Sequence, residues 1–434
     1  MNPIRRILAR KRSLARDARA ADYRAAGCGD AAAALSEQLA RFNRCWERMQ
    51  RTVPYYAKLV KRQTAPRRFA NWEEICAVLP VADRPFVYAH LPELADAAQP
   101  ADGFRITGGS TAEPVSLPAW SAETAETERN EWLGRDWYGI APGDASFRIW
   151  GHSHLLGKGV RGWINARRRE AKDALLGIER LSAYDLSDAA LMRAFERLQS
   201  SPAAYALGYS AALDRFARVA QAAGRVNRTP LKAIVATSES FPSPDSRELI
   251  ASVFQAPVAM EYGSVETGAL AHTHPGGGYR VFWLSYFVEA TEPAPQGGYR
   301  VRVTSLYPRA FPLVRYDLGD ALALNAPCLG VRAFAGVMGR TNAFLELPSG
   351  ERIHSEALSH AVKSVRGISG YQMLQKGGAL TLHLTTLAPL AEAEIGGIRA
   401  RLEKINPHLA AVEIRVVERL EQTRAGKTPL ILRR

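Results

Sequence analysis

The sequence predicts an α/β fold: a large N-terminal domain with mainly parallel sheets flanked by helices, an antiparallel subdomain within it, and a small α+β domain at the C-terminal end. Three observations carry this. Residues 104–340 alternate short β-rich runs with Ala-rich helical stretches, the pattern of a parallel sheet covered on both faces. Within them, GGYRVFWLSYFVEATEPAPQGGYRVRVTSLY reads as two β segments joined by a Pro/Gly turn, which makes an antiparallel unit. After Gly339 the pattern restarts as a self-contained unit of helices and strands, of a size at which a domain folds alone.

Taken in order, residues 1–20 carry Arg5, Arg6, Arg10, Lys11, Arg12, Arg16 and Arg19 against Asp17 alone, with Ile4, Ile7, Leu8 and Leu14 at helical spacing. Such a stretch is expected to be a frayed, solvated helix, or to lie on an anionic membrane surface or touch nucleic acid. AAALSEQLARFNRCWERMQ, from about residue 32 to 50, has helical periodicity and a further helix follows TVPYY, so residues 1 to about 80 form a helical N-terminal region. KAIVATS, APVAMEY and YRVRVTSL are strands, while LMRAFERLQ and SAALDRFARVAQAAG are helices. In the last unit FLELPSGERIH is a hairpin, SEALSHAVKSV a helix, GALTLHLTTL a strand, LAEAEIGGIRARLEKI a helix and AVEIRVVERL a final strand. The expected domains are residues 1–341 and 342–434.

A chain of 434 residues with 47% hydrophobic content exceeds one small core and is far too apolar for disorder. No window holds the ~18 consecutive apolar residues of a spanning helix, and the basic N-terminus lacks the apolar middle of a signal peptide, so a cytoplasmic protein is expected. Cys28, Cys45, Cys76 and Cys328 lie far apart without a C-x-x-C pair, which argues against a disulfide framework and a cysteine-built zinc site. The net charge is +14. Beyond the N-terminus the excess is scattered, with no helix-turn-helix, zinc-finger or aromatic RNA-binding signature, which fits small polyanionic substrates and no nucleic-acid partner.

Five stretches carry candidate chemistry. Thr107-Gly108-Gly109-Ser110-Thr111-Ala112-Glu113-Pro114 follows the strand-like GFRI, and its glycines and hydroxyls suit a polyphosphate, although the Walker spacing is absent. Glu261-Tyr262-Gly263-Ser264-Val265-Glu266 follows PVAM, placing Glu266 just beyond a strand end, where it could hold Mg²⁺ carried by phosphates or sit in a solvated turn. In Pro312-Leu313-Val314-Arg315-Tyr316-Asp317-Leu318-Gly319-Asp320, an Asp after a Gly turn can accept both ribose hydroxyls and Arg315 could face a phosphate; the alternative is a surface ion pair. Gly339-Arg340-Thr341-Asn342 stands at the domain boundary, and Arg424-Ala425-Gly426-Lys427-Thr428 lies near the end of the chain.

In this order the five stretches resemble the adenylate-forming superfamily, and within it the branch of phenylacetate–CoA ligase, coenzyme F390 synthetase and the CapK proteins of capsule biosynthesis. TVPYYAKL and WEEICAVLPVADRPFV are similar to that branch's helical N-terminal region, so the likeness runs from about residue 45 to 430. The resemblance implies that Thr107, Gly108, Gly109, Ser110 and Thr111 hold the ATP phosphates, with Glu266 on Mg²⁺ and Tyr262 and Gly263 near the adenine. Ser238 and Glu239 stand where relatives have a short turn beside the adenine. Asp320 would bind the ribose with Arg340, Asn342 would be the hinge, and Lys427 would be the catalytic lysine of a mobile C-terminal domain. Trp150, His152 and His154, in WGHSHLLGKG, fall where relatives line the acid site; as metal ligands the two histidines lack a third, and the bland alternative is a structural pair. Ala112 and Glu113 depart from the common pattern of the loop, which implies a weaker or differently arranged grip on phosphate, and Asn342 replaces a common Asp.

The implied activity is attack of a carboxylate on ATP to give an acyl adenylate and pyrophosphate, followed by transfer to coenzyme A. Opening at residue 342 would exchange one face of the small domain for another between the two steps. Two alternatives stay open: transfer to an amine or hydroxyl on a sugar or peptide, and a nucleotide-binding protein without catalysis. Expected partners are a small carboxylic acid, ATP, Mg²⁺ and coenzyme A or the other acceptor, with peripheral membrane contact through the basic N-terminus; a dimer is compatible with the sequence.

Overall fold

The computed structural model describes residues 2–26, 30–106, 116–151, 159–183, 186–238, 240–241, 245–294, 297–338, 344–363, 365, 368–386, 389–421 and 430–433. Among them the chain opens with helices α1 (Pro3–Ala25), α2 (Ala31–Thr52), α3 (Pro54–Lys61), α4 (Trp72–Val78) and α5 (Arg84–Leu94). A ribbon of β1 (Gly103–Ile106) and β2 (Ser116–Ala119) and then helix α6 (Ala122–Asp136) follow. The strand-like GFRI is therefore half of an antiparallel ribbon and not part of a parallel sheet.

The N-terminal stretch is neither frayed nor fully solvated. Asn2 caps α1 by accepting the Arg5 amide, and Pro3 occupies its first position. Arg12, Arg16 and Arg19 then pair with Glu128, Asp136 and Glu126 of α6, at 3.2 and 2.8 Å for the first two, while Arg5 donates to the Gly143 carbonyl. These pairings depend on carboxylates more than a hundred positions away, which local charge counting does not see. Cys45, Cys76 and Cys328 are free thiols.

From residue 146, strands and helices alternate: β3 (Ser146–Ile149), α7 (Gly159–Leu176), β4 (Ile178–Leu181), α8 (Asp188–Ser200), β5 (Tyr205–Tyr209), α9 (Ser210–Ala222), β6 (Ile234–Thr237), α10 (Ser246–Phe254) and β7 (Val258–Ser264). The five strands are parallel, in the order β7-β6-β5-β3-β4. The central strands are buried on both faces: in β6, Ile234 and Ala236 pack with Phe216, Phe254 and Leu191, while Val235 packs on the opposite side with Trp132, Tyr205 and Leu207. The chain leaves β3 for β4 on one side and returns to β5 on the other, so the strand order reverses at the carboxyl ends of β3 and β5, the place where open α/β sheets hold ligands.

The antiparallel part consists of β8 (Gly268–Thr273), β9 (Tyr279–Val281), β10 (Tyr286–Ala290), β11 (Tyr299–Ser305), β12 (Tyr316–Ala323), β13 (Cys328–Leu329), β14 (Ala333–Phe334) and β15 (Gly336–Met338). β14, β9 and β8 extend the parallel strands beyond β7, and β13-β10-β11-β12-β15 form a second sheet. The expected first segment of the β-rich run is thus two strands in different sheets. Phe282, Trp283, Leu284 and Ser285 cross between them fully buried, and the buried Gln38 amide donates to the carbonyls of Trp283 and Tyr286 at 2.9 and 3.1 Å. That satisfies backbone groups with no strand partner.

The last unit holds β16 (Phe344–Glu346), β17 (Arg352–His354), α11 (Ser355–Lys363), β18 (Ile368–Lys376), β19 (Ala379–Thr386), α12 (Glu392–Ile405), β20 (Glu413–Val416) and β21 (Ile431–Arg433) around a core of its own that includes Leu345, Met373, Leu382, Leu402 and Ile431. Its sheet runs β20-β19-β18-β21. AVEIRVVERL is not the final strand: β21 comes after it and pairs parallel with β18. Glu351, between β16 and β17, accepts from Arg215 of α9 at 3.0 Å and from Asn406 at 2.8 Å, which ties this unit to the parallel sheet.

Candidate active site

β7 and β12 bring two of the five stretches face to face. The Tyr262 hydroxyl donates to Asp320 at 3.1 Å, and the Tyr316 hydroxyl donates to Glu266 Oε1 at 3.1 Å. The tyrosine of each stretch therefore holds the carboxylate of the other. Asp320 reaches this place from a strand and not from a turn. Three residues of β12, Leu318 to Asp320, bulge between the pairs Arg302–Asp317 and Arg300–Ala321, with Gly319 at φ +76°, and the bulge re-aims the Asp320 side chain.

Glu266 lies in the turn between β7 and β8, just past the carboxyl end of β7, and its side chain is buried. Two arginines that local sequence did not single out clamp this turn. Arg309 donates to the Glu266 carbonyl at 2.6 Å and Arg105 to the Val265 carbonyl at 3.3 Å. Both guanidinium groups then meet the buried Glu123, at 3.4 and 3.1 Å, and Glu123 also accepts the backbone amides of Trp120 and Ala310. A charge so buried is retained because every lone pair is engaged. Arg315 has no outward role of this kind: it is buried, pairs with Glu289 at 3.0 Å and donates to the carbonyls of Cys76 and Leu79 at 2.6 and 2.7 Å.

Gly263 has its own steric reason. A Cβ there would overlap the carbonyl oxygen of Gly268 on the facing strand. Gly263→Ala is expected to force the turn open at a cost of roughly 2–3 kcal/mol, read as a lowered thermal midpoint. An unchanged midpoint would show that the turn accommodates a side chain.

Ser238, directly after β6, has φ +74°, a left-handed conformation uncommon for a serine, at the same carboxyl edge. At the end of β3, Trp150 stacks on Tyr209 of the β5 terminus, with ring centroids 4.6 Å apart at 23°. The two rings stand where the strand order reverses. Thr107, Gly108, Gly109, Ser110 and Thr111, with Ala112 and Glu113, lie outside the described residues, as do His152, His154, Glu239, Arg340, Asn342 and Lys427. The structure thus brings together Tyr262, Gly263, Glu266 and Asp320, and sets Ser238 and Trp150 along the same sheet edge.

No protein-family model matches the chain, and no curated protein matches it. Solved structures do. A 2-hydroxyisobutyryl-CoA ligase in complex with 2-HIB-AMP and CoA in the thioesterification state superposes with a TM-score of 0.56 at 17% identity, covering 93% of this chain and 91% of that one. The same ligase in the postadenylation state with R3-HIB-AMP gives 0.53 at 18%, covering 94% and 90%. An open conformation of it with 2-HIB-AMP and CoA gives 0.52 at 19%, covering 93% and 92%. The chain therefore shares the fold of this ligase.

In this fold the strand carrying Tyr262 is braced by α6 and β8. Glu261 pairs with the buried Arg135 of α6 at 2.7 Å, and opposite it on β8 stands His272, fully buried. Its Nδ1 meets the Thr273 carbonyl at 2.8 Å, its Nε2 is buried without a partner among the described residues, and Trp137 and Tyr138 pack around the ring. Burial holds the His272 pKa below its ordinary value, more strongly than Glu261 raises it. The imidazole is therefore neutral in the fold. As pH falls through the unfolded value of about 6.5, the unfolded chain binds a proton that the folded one refuses, so stability is present above that pH and declines below it, by up to ~1.4 kcal/mol per unit. His272→Leu should flatten the fall in thermal midpoint between about pH 7 and pH 5; an equally steep fall would show that other groups cause it.

Proposed function

We propose that this protein is an ATP-dependent ligase that converts a carboxylic acid to its acyl adenylate, releasing pyrophosphate, and passes the acyl group to the thiol of coenzyme A. The observation that carries the reading is the pair of reciprocal bonds, Tyr262 to Asp320 and Tyr316 to Glu266, at the carboxyl edge of a parallel sheet in an adenylate-forming fold. The 2-hydroxyisobutyryl-CoA ligase with that fold was solved with an acyl-AMP and CoA, which supports the same two-step reading here.

In this reading Asp320, fixed by the Tyr262 hydroxyl, accepts the ribose hydroxyls together with Arg340, and Tyr262 and Gly263 flank the adenine with Ser238 and Glu239. The Thr107–Thr111 loop holds the phosphates. Glu266 fits a Mg²⁺ ligand: its Oε1 takes the Tyr316 hydroxyl, its Oε2 has no hydrogen bond among the described residues, and Mg²⁺ is commonly held by one carboxylate plus substrate phosphates. When bound, Mg²⁺ neutralises phosphate charge. The acid's carboxylate oxygen attacks the α-phosphorus, the bond to pyrophosphate breaks, and Lys427 stabilises the charge that develops on the phosphoryl oxygens. A thiolate then attacks the acyl carbonyl and AMP leaves. Trp150, on its Tyr209 platform, lines the acid pocket with His152 and His154, and residues 342–434 form the moving domain.

The test is acid-dependent ATP–pyrophosphate exchange over a panel of carboxylic acids, with the acceptor then identified by mass spectrometry. Exchange followed by a coenzyme A thioester is the expected result. Exchange with an amide or ester as the product would replace only the acceptor, and no exchange with any acid would overturn the reading. Asp320→Ala is expected to raise the ATP Kd by roughly 10–100-fold through loss of a charged acceptor, with Tyr262→Phe affecting it less. Equal ATP affinity in the wild type and Asp320→Ala would remove the ribose assignment.

A further inference from the structure

The cations of α1 divide between two faces. Arg5, Arg12, Arg16 and Arg19 turn inward to the carbonyl and carboxylates described above, whereas Arg6, Arg10 and Lys11 are exposed and have no ion-pair partner among the described residues. Between them stand aliphatic side chains facing water: Ile7 is 69% and Leu14 62% exposed, and Ile4 is exposed beside them. Positions 7, 10, 11 and 14 follow the i, i+3, i+4, i+7 spacing of one helix face.

Helix α7 repeats this composition next to α1. Asn2, at the start of α1, donates to the Leu175 carbonyl at the end of α7 at 2.6 Å. Among the described residues of α7 only Gly162 and Asp173 are buried, and the latter is held by Arg180 at 2.7 Å. The outer residues include Val160, 75% exposed, Trp163, 62% exposed, and Ile164, interleaved with Arg167, Arg168 and Lys172. Of the acids, Asp17 is paired with Arg16 and Glu170 with Arg167, and Asp22 is an exposed carboxylate of α1. The net charge of this outer face is strongly positive.

We propose that the outer faces of α1 and α7 together dock the protein on an anionic lipid bilayer. Two features point to lipid. The unpaired cations complement acidic headgroups. The exposed Ile7, Leu14, Val160 and Trp163 have something to enter at the headgroup–acyl boundary, whereas a phosphate backbone offers them nothing. The surface is also ordered in advance, because the inner arginines fix α1 to α6, so docking does not have to fold the helix first. This inference is independent of the catalytic reading.

The test is co-sedimentation of the full chain with phosphatidylcholine vesicles, with and without about one third phosphatidylglycerol. Binding is expected only to the anionic vesicles and should weaken with salt. Arg10→Glu with Lys11→Glu should lower the partition coefficient by at least about 30-fold, taking roughly tenfold per 1.4 kcal/mol and ~1 kcal/mol per cation. Ile7→Ala with Trp163→Ala should lower it about tenfold or more, with thermal midpoints unchanged because all four side chains are exposed. Absence of binding to anionic vesicles, or binding that survives both double variants, overturns the proposal. So does duplex DNA binding that is lost on the charge reversal in a chain that ignores vesicles, or a dimer that dissociates in the Ile7→Ala, Trp163→Ala variant and occupies this face instead.

Discussion

Glu266→Gln is expected to reduce acid-dependent pyrophosphate exchange by a factor of about 10²–10³ while the chain remains folded. The substitution keeps the shape of the side chain and an oxygen for the Tyr316 hydroxyl, so the turn clamped by Arg105 and Arg309 retains its backbone contacts. What it removes is the negative charge that, under the proposed reading, would hold Mg²⁺ beside the phosphates. Tyr316→Phe makes the comparison decisive: the charge stays and only the hydrogen bond that orients it goes, so the loss should be roughly tenfold or less. Raising Mg²⁺ should recover part of the rate in Glu266→Gln. If Glu266→Gln exchanges pyrophosphate at the wild-type rate, Glu266 is a structural residue of the β7–β8 turn and not a metal ligand.

Lys427→Ala should abolish adenylate formation with ATP binding intact. A lysine whose charge acts on the phosphoryl oxygens in the transition state contributes more to kcat than to ground-state affinity, so kcat should fall by a factor on the order of 10² or more. Measuring thioester formation from a chemically prepared acyl adenylate separates the steps: under the hinge reading, Lys427 serves the first and is dispensable in the second. Normal pyrophosphate exchange in the variant would remove the central assignment. A loss of both half-reactions together with a lowered thermal midpoint would instead place Lys427 in the packing next to β21 (Ile431–Arg433).

Periodicity was informative wherever one element's burial is set by its own layer. Ile234, Val235 and Ala236 read as a doubly buried strand and are one; the helices of residues 31–52, 188–200 and 210–222 follow their apolar stripes. Strand Ile368–Lys376 was not legible, because ISGYQMLQK carries polar residues whose cover comes from elsewhere: the fully buried Gln372 is satisfied by the backbone of Glu421. The split of the β-rich run between two sheets was equally hidden, since it depends on Gln38 reaching carbonyls some 245 positions away.

The same division holds for the site. A carboxylate past a strand end singled out Glu266 and an Asp after a glycine singled out Asp320, while Tyr262 and Gly263 were named by the resemblance that the order of the stretches carries. That Tyr316 holds Glu266 and Tyr262 holds Asp320, that Asp320 stands on a bulged strand, and that Arg105, Arg309 and Glu123 clamp the turn were decided only in three dimensions. So was the fate of Arg315, which is buried against Glu289, and of the basic N-terminus, three of whose seven cations pair with α6. The physical reason is common to all of them: an ion pair or a hydrogen bond needs a partner within about 3 Å, and the partner's distance along the chain has no bearing on that. Local pattern determines which groups are offered; folding determines which of them meet.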